Sequence, residues 1–230
     1  MSSLDLAFRG MRYPRDIILQ CFRWYASYSL SYRNLEEMME ERGLFDLSHT
    51  TIYRWTRKII PVLNLLVRKR KWTVSPSWRM DETYILINGQ WYYYYRAVDK
   101  NGLTIDFLLS KRRDRVAAMR FFNKAFKQHG FPKTVVMDKS GSNKAAIGKI
   151  IKDKHITINV RQVKYLNNIV EQDHRAIKRM VRPMLGFKSF NSARNMLTGI
   201  EIMHMLRKDQ FNIPNSKNMS IFQRFSAIVA

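Results

Sequence analysis

The sequence predicts an α/β fold, a mixed sheet with covering helices, behind an all-α N-terminal domain. Three observations predict it. Residues 14–60 carry capped stretches with apolar residues at helical spacing and no strand pattern. From residue 78 the apolar period changes, and Asn88-Gly89 and Asn101-Gly102 punctuate it as hairpin turns. From about residue 113, helical stretches alternate with short apolar strands, the order of an α/β sheet.

In the N-terminal part, residues 14–28 read as a helix beginning at Pro14, a tolerated first-turn position. Ser31 is the N-cap expected for Tyr32–Arg42, and Gly43 is its C-terminal stop. After the apolar turn Leu44-Phe45-Asp46-Leu47, Ser48 caps another helix running to about Ile60, ahead of Pro61. Two short helices joined by a tight turn are the helix-turn-helix plan, whose second helix reads the major groove. On that helix His49, Thr50, Thr51, Tyr53, Arg54 and Arg57 can reach bases or phosphates, while Ile52, Trp55 and Ile59 face a three-helix core. Residues 1–66 are thus expected to form this domain, and the basic run 67–77 a linker whose Arg68 to Lys71 meet phosphates.

The core is expected over residues 78–182. Trp78–Ile87, Trp91–Val98 and Leu103–Ser110 read as three strands. The run Trp91-Tyr-Tyr-Tyr-Tyr95 fits a strand buried on both sides better than a base-stacking surface. A helix over about Arg113–Gln128 leads to a short strand, Thr134–Met137, ending at Asp138. A helix over about Lys144–Lys154, a strand near Ile156–Val160 and a helix over about Leu166–Met180 complete it. Three antiparallel strands followed by alternating helix and strand is the ribonuclease-H-like order, the plan of retroviral-integrase-type catalytic cores. Residues 183–230 are expected to supply one more helix, Asn191–Arg207, and an irregular tail.

Charge says what such a chain meets. Forty-one Lys and Arg against eighteen Asp and Glu give a formal net charge of +23, which calls for a polyanionic partner. The excess is +6 over residues 1–72, +11 over 73–165 and +6 over 166–230, so it is no disordered basic tail. It suits a long path for double-stranded DNA and decides for a DNA role of the Arg-rich second helix over a plain tri-helical bundle. A ribosomal or nucleoid protein would share the charge but not the acids described below. Hydrophobic residues at 46% suffice for a real core, and no apolar run is long enough to span a membrane. The N-terminus lacks a secretory layout and Cys21 is the single cysteine, which together point to a reducing, cytoplasmic, nucleoid-associated setting. The five histidines are scattered, so any metal is expected to be a hard cation on carboxylates.

In so basic a chain the acids are the informative residues. Asp81 interrupts an otherwise apolar strand, and Asp138 ends a second one. The expected topology sets those strands side by side, and two such carboxylates repel unless a cation neutralises them. A third ligand is expected from the last core helix, where Glu171 is available. Two Mg²⁺ ions held this way, with Mn²⁺ as a substitute, can activate a nucleophile and stabilise the leaving oxygen of an in-line phosphoryl transfer. At about 100° per residue, Lys178 lies nearly in line with Glu171, with Arg175, Asn167 and His174 beside that stripe. Asp173 instead falls on the apolar face among Ile169, Ala176, Ile177 and Met180. A buried Asp wants a partner, so it is either a structural residue or a rival ligand. Periodicity leaves both in play, and the polar stripe favours Glu171.

Met80-Asp81-Glu82-Thr83-Tyr84, Tyr95-Arg96-Ala97-Val98-Asp99, Met137-Asp138-Lys139 and the string from Lys164 to Arg175 resemble the hallmark strings of the IS-six group of bacterial insertion-sequence transposases. Ser48-His49-Thr50-Thr51-Ile52-Tyr53-Arg54-Trp55 resembles the same group's helix-turn-helix, and the resemblance runs from about residue 12 to 208. It implies a catalytic triad of Asp81, Asp138 and Glu171 and a DNA contact from Lys178, while Arg175 and His174 on the polar stripe and Lys139 beside Asp138 are also expected to meet DNA. It further implies 3′-strand nicking at terminal inverted repeats, strand transfer into target DNA, replicative cointegrate formation and a homodimer. One departure is the spacing, since 32 residues separate Asp138 from Glu171, slightly fewer than the group usually has. A shorter loop around residues 154–162 accounts for that. Two other classes remain: a catalytically silent DNA-binding regulator, and a ribonuclease-H-like nuclease that only hydrolyses.

Overall fold

The computed structural model describes residues 3–230, apart from the side chains of Ser3, Lys164 and Tyr165, so the opening of the string at residue 164 lies outside the described side chains. Its helices are α1 (Ser3–Phe8), α2 (Arg15–Ser27), α3 (Tyr32–Glu40), α4 (His49–Lys69), α5 (Arg115–His129), α6 (Gly141–Lys154), α7 (Asn168–Val181), α8 (Phe190–Arg207) and α9 (Ile221–Val229). The strands are β1 (Ser77–Ile87), β2 (Gln90–Asp99), β3 (Thr104–Ser110), β4 (Thr134–Val136) and β5 (Asn159–Arg161). Two compact units emerge: Met1–Lys71 with Ile177–Ala230, and Trp72–Ala176.

The first unit is helical. Ser31 caps α3, its Oγ accepting the Asn34 N–H at 3.0 Å while the Asn34 side chain accepts the Ser31 N–H at 2.8 Å. Ser48 caps α4 by accepting the Thr51 N–H, without the reciprocal bond. That helix does not stop before Pro61; it runs to Lys69, so Val67, Arg68 and Lys69 are helix rather than linker. The reason is its apolar stripe. Ile52, Ile59, Ile60, Leu63 and Val67 are all buried, and packing on both sides of Pro61 outweighs the roughly 3 kcal/mol an interior proline costs. The C-terminal segment is a correction too. α8 packs on α2 and α4, so residues from Ile177 onward join the N-terminal helices. Gly199 of α8 makes the approach possible: a Cβ there would lie 3.2 Å from Ile60 Cδ1 and 3.3 Å from Phe22 Cε2. The expected irregular tail contains α9, capped by Ser220 and Gln223. Cys21 is fully buried in this unit.

The second unit is a five-stranded sheet in the order β3-β2-β1-β4-β5. β1, β2 and β3 are antiparallel neighbours, and β1, β4 and β5 run parallel. That is the ribonuclease-H-like arrangement expected from the sequence. Trp78, Met80, Tyr95, Ala97 and Ile105 of the sheet pack on Phe121, Phe122 and Phe126 of α5 and on Ala146, Ile147 and Ile150 of α6. Asp99, fully buried, closes the β2–β3 turn by accepting the N–H groups of Ser75, Asn101 and Leu103 at 2.8–2.9 Å. Along β1, β4 pairs only with Ser77–Arg79, and β3 reaches only as far as Tyr93 of β2. Beyond the Tyr84–Tyr93 pair, the β1–β2 hairpin therefore outruns the described strands beside it.

Candidate active site

The site begins with register. Ser77, Trp78 and Arg79 of β1 lie beside Thr134, Val135 and Val136 of β4. Two residues past the last pair, the same register sets Asp81 beside Asp138, where β4 has ended and the chain turns toward α6. A charged side chain is tolerated there because the strand end is open: Asp138 has 39% of its side chain exposed and Asp81 19%. Asp138 is oriented by the Ser140 N–H, which donates to its Oδ1 at 3.2 Å. The Gln162 side chain holds its carbonyl, also at 3.2 Å.

Carboxylate oxygens of Asp81, Glu82 and Asp138 come within 4.8 Å of one another. Glu82 joins them although alternation sends it to the other face of β1 from Asp81. Its side chain is only 4% exposed, with Asn143 donating to Oε1 at 2.8 Å and Arg113 Nε 3.5 Å away. Burial raises the Glu82 pKa, opposed by Asn143 and Arg113 and reinforced by Asp138 and Asp81. Arg113 also reaches Asp138 at 3.2 Å, so one guanidinium bridges two of the three acids. Oε2 of Glu82 is buried without a hydrogen-bond partner. Clustered hard oxygen donors with one unsatisfied atom fit a divalent cation.

The last core helix meets the other face of the sheet. His174 on α7 is 4% exposed and its Nε2 stands 3.4 Å from Asp81 Oδ2. Burial lowers its pKa despite the pull of Asp81, which leaves a neutral imidazole at pH 7. The expected phosphate contact at His174 is thereby corrected, because the ring is turned inward onto Asp81. One position earlier, Asp173 pairs with Arg96 of β2 at 2.6 Å, and the Arg96 side chain is fully buried. Arg96 lies directly opposite Asp81 in the sheet, so a buried ion pair anchors α7 beside the first acid. Glu171, one turn before His174, is exposed and is not part of the group of three. Arg175, Lys178 and Lys139 are exposed.

On α4, Thr50, Arg54 and Arg57 are exposed, and His49, Thr51 and Tyr53 are half-buried. Thr50 and Thr51 both contact the Ser48 hydroxyl. Arg57 lies over the Tyr53 ring, and His49 Nδ1 stands 2.9 Å from Glu36 Oε2 on α3. Sequence reasoning missed Glu82, Arg113 and the Asp173–Arg96 pair. An arginine inside an apolar strand was the available signal for the last.

The chain can be set beside known proteins on this geometry. A family model described as a DDE domain of the IS240 transposase type matches residues 75–210. A Staphylococcus aureus transposase for the insertion sequence-like element IS431mec is 41% identical over 208 residues, 87% of this chain and 88% of the relative. The S. aureus transposase for element IS257 in transposon Tn4003 is 40% identical over the same shares. Among solved structures, the HTLV-2 integrase catalytic core domain in complex with magnesium is 15% identical, with a TM-score of 0.47, covering 68% of this chain and 99% of that one.

Proposed function

The chain belongs to the family of IS240-type DDE-domain transposases, and on that premise we propose that it nicks the 3′ strands at an insertion sequence's terminal inverted repeats and joins them to target DNA. It is a metal-dependent DNA phosphoryl-transfer enzyme by family. The observation that carries the finer reading is the gathering of Asp81, within β1, and Asp138, just past the end of the adjacent parallel strand β4. Asp81, Asp138 and Glu171 would hold the cations, two Mg²⁺ or Mn²⁺ ions, with Glu82 behind them. Bound there, such ions polarise the scissile phosphate and sharpen the nucleophile.

The chain's own residues do the rest. His174, neutral and buried, stands against Asp81 at 3.4 Å and excludes water from its inner side. Arg113 offsets the charge of Glu82 and Asp138, which would otherwise repel. Support for Glu171 comes from α7: three residues advance a helix about 4.5 Å, so its carboxylate stands one turn from the ring that faces Asp81. Lys139, Arg175 and Lys178 neutralise DNA phosphates. Thr50, Arg54 and Arg57 read the terminal repeats, with His49, Thr51 and Tyr53 beside them. A water first attacks the phosphate at the element end and frees a 3′-OH. That hydroxyl then attacks target DNA by transesterification with no covalent enzyme intermediate, in a homodimer that pairs two ends and produces a cointegrate.

The test uses the DNA that flanks the gene as substrate. Nicking and joining of precut ends should require Mg²⁺ or Mn²⁺, and Asp81→Asn or Asp138→Asn should abolish both while sparing DNA binding. Full activity in excess chelator would refute the metal mechanism, and nicking without joined product would leave a hydrolytic nuclease.

A further inference from the structure

We propose that the overhanging tip of the β1–β2 hairpin is a stacking platform for an unpaired nucleobase a few nucleotides from the scissile phosphate. The proposal rests on the DNA-transfer reading above and adds a binding site to it. The aromatic run expected to be buried on both sides is split by the fold. Tyr94 and Tyr95 are fully buried, but Trp91 is 63% exposed and Tyr84, across the hairpin, 49%. Tyr84 and Trp91 meet edge to face with ring centroids 6.5 Å apart. Tyr93 lies 5.4 Å from Tyr84 on its other side. These rings share one face of the hairpin, because Tyr84 is two residues from Glu82, and Tyr93 and Leu86's partner Trp91 lie across from that row.

Three features identify the occupant. The first is continuity, since the ring face begins at Glu82, a member of the acidic group. Two to four strand residues advance about 7–13 Å, the rise of roughly two to four nucleotides of a strand. Charge is the second. Ser110 pairs with Tyr93, and the chain continues directly from that pair into Lys111-Arg112, both exposed. Aromatic faces for bases beside cations for the backbone are the recipe of single-strand binding surfaces. The third is isolation: β3 and β4 end short of the tip, so its edges are unpaired by those strands, and Trp91 and Tyr84 keep large exposed surfaces.

The experiment uses the full chain and two DNAs of arbitrary sequence, a blunt duplex and the same duplex with a short single-stranded 3′ oligo-dT extension carrying one 2-aminopurine. The wild type should prefer the extended DNA and quench the 2-aminopurine on binding. Trp91→Ala and Tyr84→Ala should lose roughly 5-fold to 100-fold of affinity for the extended DNA, the worth of one base–aromatic stack, and the quenching with it. Trp91→Phe should restore both. Phe131→Ala, 50% exposed and ahead of β4 at the opposite end of the sheet, should behave as wild type. Thermal melts verify that each variant is folded. If Trp91→Ala and Tyr84→Ala, both folded, bind and quench as the wild type does, the platform is refuted and the transposase reading stands. If the wild type binds neither DNA, both fall together.

Discussion

Glu171 and Asp173 stand two residues apart on α7 in different surroundings. Asp173 neutralises an arginine with no exposed surface. Asp173→Ala would take away the carboxylate that pairs with the buried Arg96 at 2.6 Å, and breaking such a pair costs about 3–5 kcal/mol. A loss on the order of 10 °C in melting temperature is expected. Glu171→Gln, at an exposed position, should melt as the wild type does yet fail to nick. Paired melts and Mg²⁺-dependent nicking on both variants check this, and a stable, inactive Asp173→Ala beside an active Glu171→Gln would reverse the assignment. The helical pattern alone showed that Asp173 needed a partner. It could not name Arg96, because that contact depends on which β2 residue comes to lie beside α7. Glu82 was hidden for a related reason: strict alternation sets it opposite Asp81, and only an open strand end lets both carboxylates reach Asp138.

Among the elements, the strands were the most legible, since turn dipeptides and apolar alternation are local signals. Asn88 and Gly89 both adopt positive φ, as the hairpin reading required. The extent of α4 was not legible, because Pro61 is a local stop signal overridden by tertiary packing. α9 carried a readable cap, Ser220 with Gln223, that the short apolar tail obscured. Gly199 inside α8 looks like a helix weakness, worth about 1 kcal/mol against alanine. Its neighbours reverse the sign. Ile60 and Phe22 are 1% and 0% exposed and cannot yield to a new methyl group. Overpacking typically costs about 1–3 kcal/mol, so Gly199→Ala should destabilise by about 1 kcal/mol net. Denaturant titration measures it, and a stabilised variant would show that α8 can shift.

Over the whole molecule, the boundary expected at residue 183 falls instead within α7, and the C-terminal helices close the N-terminal unit. Sequence order concealed this, because the covering helix lies more than a hundred residues from the faces it covers. The basic character was legible and is shared. The first unit has twenty-two Lys and Arg against nine Asp and Glu, and the second nineteen against nine. A further consequence follows from the single thiol. Burial lifts the Cys21 pKa from 9.0 to about 12, so between those values the unfolded chain ionises there and the native one does not. Below pH 9 the residue is neutral in both states. Above it, the unfolded state gains about 1.4 kcal/mol per pH unit, so stability drops as pH rises toward 12. The wild type should lose this increment relative to Cys21→Ala, as urea midpoints across that range would show; parallel curves would refute it. The thiolate is also the species that alkylates, which makes Cys21 a built-in clock. At pH 9 iodoacetamide should label the native protein only through openings of the helical unit, and its rate tracks the fraction of molecules open at any moment.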